Sequence, residues 1–421
     1  MPQLCLYFQL HQPYRLGEYE VFDVGNSDRY FDHLSDLNKE VFLKVSQKSY
    51  RPMLQLLLRM TQEIPRFYFS LSASGVFLEQ AQEFDPYVIE LIRALVATGK
   101  VELLAETYYH SLASLYSPEE FADQVAAHTA FLKELFDYTP RVFRNTELIY
   151  SDEIADQVYA LGFDGLLTEA VDRYLHGQDR TQLFADYSGR LPLLLKHAPL
   201  SDDVAFRFSD RNWPAYPLHA DTYKEWLSVY PEHALINLFM DFETFGEHQW
   251  EDTGIFAFFE QVMRDVLSHD WNATVLPSQI FARERSRQVS QWLRKNPQAS
   301  AYQRNTLHKN GPRFWDLPRY VVPHPISWAD VDRDITAWAD NPLQQDSLRL
   351  IYDLKEKVLA TKDNRLIHIW RQLQTSDHFY YMCTKWSADG DVHAYFSPYR
   401  DPYEAYRRYS VVVADFERRL G

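Results

Sequence analysis

The first two thirds of the chain alternate short apolar runs with longer segments in which apolar residues recur at helical spacing. Apolar runs of about four to eight residues that are bounded by polar residues are typical of buried strands. The runs lie at Leu4–Leu10, Arg66–Leu71, Val101–Ala105, Val142–Asn145, Gly165–Thr168, Leu191–Lys196, Ala234–Met240 and Ala273–Leu276.

Helical patterns lie between several of these runs. They cover Pro52–Met60, Pro86–Val96 and Pro118–Phe136, and the last has Ser117 as a predicted N-cap with Glu120 three residues later. Strands that alternate with helices indicate parallel βαβ units. Seven or eight such units over about 280 residues predict an α/β barrel that is closed or nearly closed.

The pattern changes after about residue 285. Before that point, residues 203–217 are predicted to form a long loop. Residues 303–325 are rich in Pro, His and aromatic residues and show no periodic pattern. Helical patterns then follow at Trp328–Trp338, Asp346–Thr361, Arg365–Thr375 and Pro402–Leu420. We therefore predict a barrel domain over residues 1–285 and a mainly helical C-terminal domain over residues 286–421 that packs on it.

The composition is typical of a globular protein and disfavours two classes of partner. The 421 residues include 43 Lys and Arg against 59 Asp and Glu, so the formal net charge is −16. Binding to nucleic acid or to an anionic membrane depends on basic residues that neutralise phosphates, so we expect neither. The sequence has no apolar stretch of about 18 residues, and its start lacks a basic region and a cleavage site, so we expect a cytoplasmic protein.

Glycine and cysteine are both scarce, with 13 and 2 residues. Neither GxGxxG nor GxxxxGK[ST] occurs, so the common phosphate-binding loops are absent and we expect no cofactor. Cys5 and Cys383 cannot form a disulfide framework or a CxxC metal site. Aromatic residues make up 15% of the chain, which suits stacking on sugar rings and a large core equally well.

Polar and ionisable residues gather at the ends of four predicted strands, where α/β barrels carry their catalytic groups. The strands lead into His11–Pro13, Glu106–His110, Arg144–Glu147 and Asp241–Trp250. Glu147 and Asp241 are the strongest pair, because hydrolysis of a glycosidic bond requires two carboxyls that flank the bond. The neighbouring Phe242 and Glu243 provide a setting that can raise the pKa of Asp241.

Two other interpretations of these residues remain open. The carboxylates at the strand ends could cap the following helices or pair with Arg144. A metal site could form from His11, His110 and His248, because zinc binds His together with carboxylates. However, HExxH is absent and His11 is not part of an HxD pair, so we expect no metal.

Sequence motifs recur in a fixed order around these strand ends. They are HQP at His11–Pro13, GKVELLAETYYHSLASL at Gly99–Leu115, FRNTELIYS around Glu147, FMDFETFGEHQW around Asp241, ISWADVDRDITAW around Trp328 and Asp330, and SDHFYYM at Ser376–Met382. This ordered set resembles the conserved regions of family 57 of the glycoside hydrolases, the retaining α-amylase and 4-α-glucanotransferase family. The resemblance spans nearly the whole chain and is closest to the short α-amylase-like members.

The resemblance implies an incomplete (β/α)7 barrel with a helical bundle that completes the active-site cleft. It also implies that Glu147 is the nucleophile and Asp241 the general acid/base. Candidate substrate-binding residues in and near the motifs are His11, Gln12, Tyr109, His110, Glu243, His248, Trp250, Trp328 and Asp330.

We therefore expect a retaining hydrolase that cleaves α-1,4 bonds of starch, glycogen or maltooligosaccharides by double displacement. The alternatives are a 4-α-glucanotransferase of the same family, a glucan-binding protein without turnover, and a metal-dependent hydrolase or deacetylase. His110 stands where the glucanotransferases tend to have a carboxylate, which favours the amylase-like branch. The sequence makes no prediction of the oligomeric state.

Overall fold

The computed structural model describes residues 2–31, 37–269, 272–298, 300, 314–385 and 397–421. Within these ranges the strands are β1 Gln3–Leu10, β2 Phe69–Ala73, β3 Val101–Leu103, β4 Val142–Arg144, β5 Gly165–Thr168, β6 Phe184–Asp186, β7 Pro192–Leu195, β8 Leu235–Asp241 and β9 Arg319–Tyr320.

The α-helices fall into two groups along the chain. Those of the first group are α1 Leu37–Val45, α2 Arg51–Glu63, α3 Gly75–Phe84, α4 Pro86–Ala97, α5 Ala113–Tyr116, α6 Pro118–Phe136, α7 Asp152–Ala160, α8 Asp172–Leu175, α9 Ala198–Ala205, α10 Ala220–Ser228, α11 Ile255–Val266 and α12 Pro277–Lys295. Those of the second are α13 Thr336–Ala339, α14 Pro342–Asp353, α15 Lys355–Thr361, α16 Asn364–Gln372, α17 Ser376–Tyr380 and α18 Pro402–Arg419.

The strands form two sheets that meet around a barrel. Their orders are β3-β2-β1-β8 and β4-β5-β7-β6-β9, and β6 runs antiparallel to β7. The amide of Ala105, just after β3, donates to Val142 of β4 at 2.9 Å, and the amide of His197, just after β7, donates to Asn237 of β8 at 2.8 Å. Seven parallel strands therefore follow one another around an incomplete (β/α)7 barrel, and the predicted fold class is confirmed.

Strand β1 is buried on both faces, which explains its continuous apolar sequence. Leu4, Leu6 and Phe8 pack with the surrounding helices, whereas Cys5 and Tyr7 pack with residues of other strands inside the barrel. This alternation follows from the two-residue period of a strand. Polar side chains therefore begin at the carboxyl end of β1, where the chain reaches the barrel mouth.

The C-terminal helices share a hydrophobic core with one side of the barrel. Trp338, Trp370 and Phe416 of these helices belong to the same buried cluster as Phe121 of α6 and Phe143 of β4. Helix α12 runs through residue 285, and the predicted division at that residue stays a prediction. Among the described residues, none of the helices is long and apolar enough to cross a membrane.

The predicted helix over residues 328–338 is wrong, because α13 begins only at Thr336. Asp330 and Arg333 have φ values of 62° and 51°. A left-handed backbone at two non-glycine residues is incompatible with a right-handed helix. The segment is therefore an irregular loop, and its first residue, Trp328, reaches the barrel mouth.

Two further predictions require correction. The apolar run at residues 273–276 forms a single bridge, between Thr274 and Leu4, and not a strand. The predicted loop at residues 203–217 begins inside α9. Residues 303–313 of the predicted irregular stretch lie outside the described part of the chain.

Candidate active site

Glu147 lies three residues beyond the end of β4 and adopts a left-handed backbone, with φ 55°. Its Oε1 lies 3.2 Å from Nε2 of His110, and its Oε2 accepts a 2.7 Å hydrogen bond from the indole of Trp328. Burial by itself would raise the pKa of Glu147. However, the hydrogen bonds from His110 and Trp328 and the charges of His110 and Arg144 outweigh burial and hold that pKa below its ordinary value.

His110 connects Glu147 to a second carboxylate. Its Nδ1 lies 2.9 Å from Oε2 of Glu106, and the His110 side chain is buried. Burial lowers the pKa of His110, but hydrogen bonds and charges from Glu106 and Glu147 outweigh burial and raise the pKa to about 9. The same pairing overcomes the burial of Glu106 and lowers its pKa to about 2. At neutral pH, His110 is therefore an imidazolium between two carboxylates.

Arg144 adds a second buried positive charge, at the end of β4. Its Nη2 donates to the side-chain oxygen of Gln9 on β1, and its Nη1 lies 3.8 Å from Oε2 of Glu106. Its Cζ is 5.1 Å from the centre of the Trp328 ring, within the range of a cation–π contact. Arg144 therefore favours the ionised form of Glu147 and orients the indole that bonds to it.

Asp241 is the last residue of β8 and pairs in register with Gln9 of β1. Burial and the negative charge of Glu147 raise the pKa of Asp241 to about 6, and Arg144, Lys196 and His110 partly oppose this rise. The two carboxyls are therefore close enough to interact electrostatically, and their pKa values shift in opposite directions. Such a pair provides an ionised group and a protonated group in one site.

Glu243 forms the next layer of polar contacts, together with Tyr50 and Gln12. The Tyr50 hydroxyl donates to Oε1 of Glu243 at 2.6 Å, and the Gln12 amide donates to the Tyr50 oxygen at 2.9 Å. Burial and the nearby Asp241 raise the pKa of Glu243 to about 8. The structure therefore brings Gln12 and Glu243 into one network next to Asp241.

The C-terminal helices contribute to the site through His11. Its ring stacks on that of His110, with centroids 4.0 Å apart, and its Nδ1 lies 2.7 Å from the Ser74 hydroxyl. Its Nε2 lies 3.0 Å from Oδ2 of Asp377 in α17. Burial and the charge of His110 lower the pKa of His11, although Asp377 opposes this shift. His11 is therefore a neutral ring that donates from Nε2 to Asp377.

The remaining predicted site residues have other partners. The Tyr109 hydroxyl lies 2.9 Å from Nδ1 of His368 in α16. Burial lowers the pKa of His248 to about 4. Trp250 is 57% exposed, with the ammonium of Lys48 5.6 Å from its ring centre. The carboxylate of Asp330 lies 3.1 Å from Nζ of Lys385. The substrate-binding roles of Tyr109, His248, Trp250 and Asp330 remain predictions.

Several residues of the site were missed as site candidates from the sequence. The strand-end rule placed Glu106 after a predicted strand but gave it no role, and the same rule could have identified Lys196, which ends another predicted strand. Asp377 lies in the motif SDHFYYM, but its contact with His11, 366 positions away in the chain, could not be predicted from the local sequence. Within the described ranges, no group of three or more His, Cys, Asp or Glu side chains is arranged to hold a metal ion.

Similarity to known proteins gives the family. The model of glycosyl hydrolase family 57 matches residues 5–294. A Methanocaldococcus jannaschii protein named "Putative alpha-amylase" is 38% identical over 422 residues, which cover 97% of this chain and 83% of that protein. The chain therefore belongs to glycosyl hydrolase family 57, and the family resemblance inferred from the motifs is confirmed.

Solved structures show the same fold at low sequence identity. A branching enzyme of this family from Thermococcus kodakaraensis superposes with a TM-score of 0.65 at 13% identity, covering 99% of this chain and 90% of that chain. The 4-alpha-glucanotransferase from Thermococcus litoralis gives a TM-score of 0.64 at 13% identity, covering 100% of this chain and 60% of that enzyme.

Proposed function

We propose that the chain is a retaining glycoside hydrolase that acts on α-1,4 bonds of α-glucans. The observation that carries this proposal is the pair formed by Glu147 and Asp241. Glu147 is held ionised by two hydrogen-bond donors, whereas burial and the charge of Glu147 raise the pKa of Asp241 to about 6. Retaining glycosidases require one carboxylate nucleophile and one carboxyl that holds a proton.

The proposed reaction proceeds in two displacements. A Glu147 carboxylate oxygen bonds to the anomeric carbon as the bond to the leaving sugar oxygen breaks, and Asp241 donates its proton to that oxygen. Asp241, now ionised, then accepts a proton from water, whose oxygen bonds to the anomeric carbon and releases Glu147. Two inversions at one carbon retain the anomeric configuration.

The family relatives support α-glucans as the substrate class. Their names include an alpha-amylase, a 4-alpha-glucanotransferase and a branching enzyme. We assign His11, Gln12, Glu243 and Trp328 to substrate binding next to the carboxyl pair, with Tyr109, His110, His248, Trp250 and Asp330 as further candidates.

A 4-α-glucanotransferase is the second candidate, because relatives with that activity are present in the same family. Its first displacement would be the same, and a sugar hydroxyl would replace water in the second. Incubation of the protein with maltoheptaose separates the two. Hydrolysis releases only shorter chains and new reducing ends, whereas transfer also produces chains longer than the substrate, which mass spectrometry detects.

The test of the proposal combines this assay with proton NMR of the first product. We expect the α-anomer to form first, turnover to persist in chelator, and Glu147→Gln to abolish turnover. Glu153→Gln, which replaces an exposed glutamate in the following helix, is the matched control and should retain turnover. Binding without turnover, a β-anomer as first product, or an active Glu147→Gln variant would each contradict the proposal.

A further inference from the structure

Ionisable side chains next to the carboxyl pair form a closed ring of alternating charge that the proposed mechanism does not use. Lys196 Nζ lies 2.9 Å from Oδ1 of Asp202 and 3.7 Å from Oε2 of Glu169. Arg333 completes the ring, with Nη2 2.9 Å from Oδ2 of Asp202 and Nη1 3.5 Å from Oε2 of Glu169. The two carboxylates and Lys196 are buried, and Arg333 is 24% exposed.

Stability alone is a weak explanation for such a ring. Removing several charged groups from water is costly, and apolar replacements of buried ion pairs often leave stability unchanged or raise it. Three of the ring residues lie at the barrel mouth: Glu169 follows β5, Lys196 follows β7, and Asp202 is in α9. The fourth residue, Arg333, comes from outside the barrel elements, because it belongs to the irregular loop that precedes α13.

The ring is in direct contact with Trp328. Arg333 donates to the backbone oxygen of Trp328, and Nζ of Lys196 lies 5.3 Å from the centre of the indole ring. Trp328 is tied in turn to Glu147 by two hydrogen bonds, one from its backbone amide at 3.1 Å and one from its indole at 2.7 Å. One continuous set of contacts therefore leads from Arg333 through Trp328 to Glu147.

We infer that Arg333 is a positioning residue, which holds Trp328 so that its indole N–H meets the carboxylate of Glu147. The inference deepens the proposed function and rests on it for the catalytic role of Glu147. Arg333 suits this task because its planar guanidinium contacts two carboxylates and a carbonyl at once. The left-handed backbone of Arg333 and Asp330 turns the loop so that Arg333 points back at Trp328.

The inference predicts a defined kinetic effect. Without Arg333, the indole no longer stays in place, and Glu147 loses a donor that favours its ionised form. Glu147 still faces the positive His110 and Arg144 and the carboxyl of Asp241. We expect Arg333→Gln to lower kcat by about ten- to a hundredfold, the effect of one hydrogen bond to a charged group. The acidic limb of the pH profile should move to higher pH.

Arg371→Gln is the matched control. Arg371 also joins a C-terminal helix to the barrel side, through Nε and Nη2 that lie 2.8 Å and 3.1 Å from the two oxygens of Glu120. It tests the loss of a buried ion pair that does not touch Trp328. We expect Arg371→Gln to lower the melting temperature but to leave kcat and the acidic limb in place.

A double-mutant cycle with Trp328→Phe tests whether Arg333 acts through the indole. Arg333→Gln should cost activity in the wild-type background and little more in the Trp328→Phe background. An equal loss in both backgrounds, or an equal loss of kcat in Arg371→Gln, would overturn the inference. If Arg333→Gln does not fold, Arg333→Lys keeps the charge without the planar fork and carries the same comparison.

The indole N–H provides a readout that does not depend on turnover. In protein labelled with ¹⁵N-tryptophan, Trp328→Phe assigns the resonance, and Arg333→Gln should shift it away from the position typical of a hydrogen bond to a carboxylate. An unchanged resonance would overturn the inference even if activity fell. Wild-type turnover in Glu147→Gln would instead contradict the proposed function, and the resonance would still report on the contact.

Discussion

Nε2 of His110 lies 3.2 Å from Oε1 of Glu147, while the opposite nitrogen of the same ring lies 2.9 Å from Glu106. We predict that His110→Gln moves the acidic limb of kcat/KM to higher pH, because Glu147 loses a charged donor and its pKa rises. The expected loss in kcat/KM is about ten- to a hundredfold. His324→Gln, at an exposed histidine, should leave the profile unchanged. An unmoved limb in His110→Gln would remove His110 from this role.

The same imidazolium predicts a pH-dependent stability. The pKa of His110 rises from 6.5 to about 9 in the folded protein. A raised pKa means that the folded state binds the proton more tightly, so the stabilisation is fully present below pH 6.5 and is lost as pH rises through about 9. Urea unfolding at about pH 6 and about pH 10 should show a smaller pH effect in His110→Gln than in the wild type. Equal pH effects in the two proteins would refute this prediction.

Asp241→Ala should have an effect that depends on the leaving group. A sugar leaving group requires a proton from Asp241, whereas fluoride departs without one. We predict a loss of at least about a hundredfold in kcat/KM on maltoheptaose and a much smaller loss on α-maltosyl fluoride. Added azide should restore turnover of the fluoride, since azide attacks the glycosyl enzyme without base assistance. A similar loss on both substrates would argue against Asp241 as the proton donor.

The opposite pKa shifts of the two carboxyls predict the shape of the pH profile. Asp241 must be protonated for the first displacement, and its pKa is about 6, whereas Glu147 must be ionised and its pKa is below the ordinary value. We predict that kcat/KM for maltoheptaose is bell-shaped, with activity falling as pH rises past about 6. An alkaline limb above about pH 8 would assign the proton donor to another group.

The barrel could be predicted from the sequence because its elements are locally encoded. Helix α6 begins at Pro118 and ends at Phe136 as predicted, and the Ser117 hydroxyl accepts from the Glu120 amide at 3.3 Å. Strands that are buried on both faces read as continuous apolar runs, as β1 does. Glu147 and Asp241 could be found because strand ends are the usual place for catalytic groups in barrels.

The remaining features depend on contacts that are distant in the chain. The helix predicted from Trp328 fails because that residue is bonded to Glu147, 181 positions away, and the loop follows this tertiary contact instead of its helical pattern. Glu106 and His110, which form a buried pair, are four residues apart in the chain. The left-handed backbone of His110 turns its ring toward Glu147. Periodicity gives no information on either feature.

Asp377 links the C-terminal helices to the barrel mouth, because its Oδ2 lies 3.0 Å from Nε2 of His11, which stacks on His110. Burial raises the pKa of Asp377, but the charge that His11 carries in acid, the hydrogen bond from His11 and the charge of His110 outweigh burial and hold that pKa well below its usual range. A depressed carboxyl pKa means that this stabilisation is present above the unfolded value of 3.8 and is lost as pH falls through the folded value.

We therefore predict that Asp377→Asn lowers the free energy of unfolding by about 1.5–3 kcal/mol at neutral pH, the contribution of a hydrogen bond to a charged group. The difference from wild type should shrink below about pH 4 in urea unfolding experiments. Asp353→Asn, at an exposed aspartate of α14 paired with Arg349, is the matched control and should cost about 0.5 kcal/mol or less. Because His11 would lose its orientation, kcat/KM for maltoheptaose should also fall in Asp377→Asn. It should not fall in Asp353→Asn. Equal behaviour of the two variants would show that the C-terminal helices do not position His11.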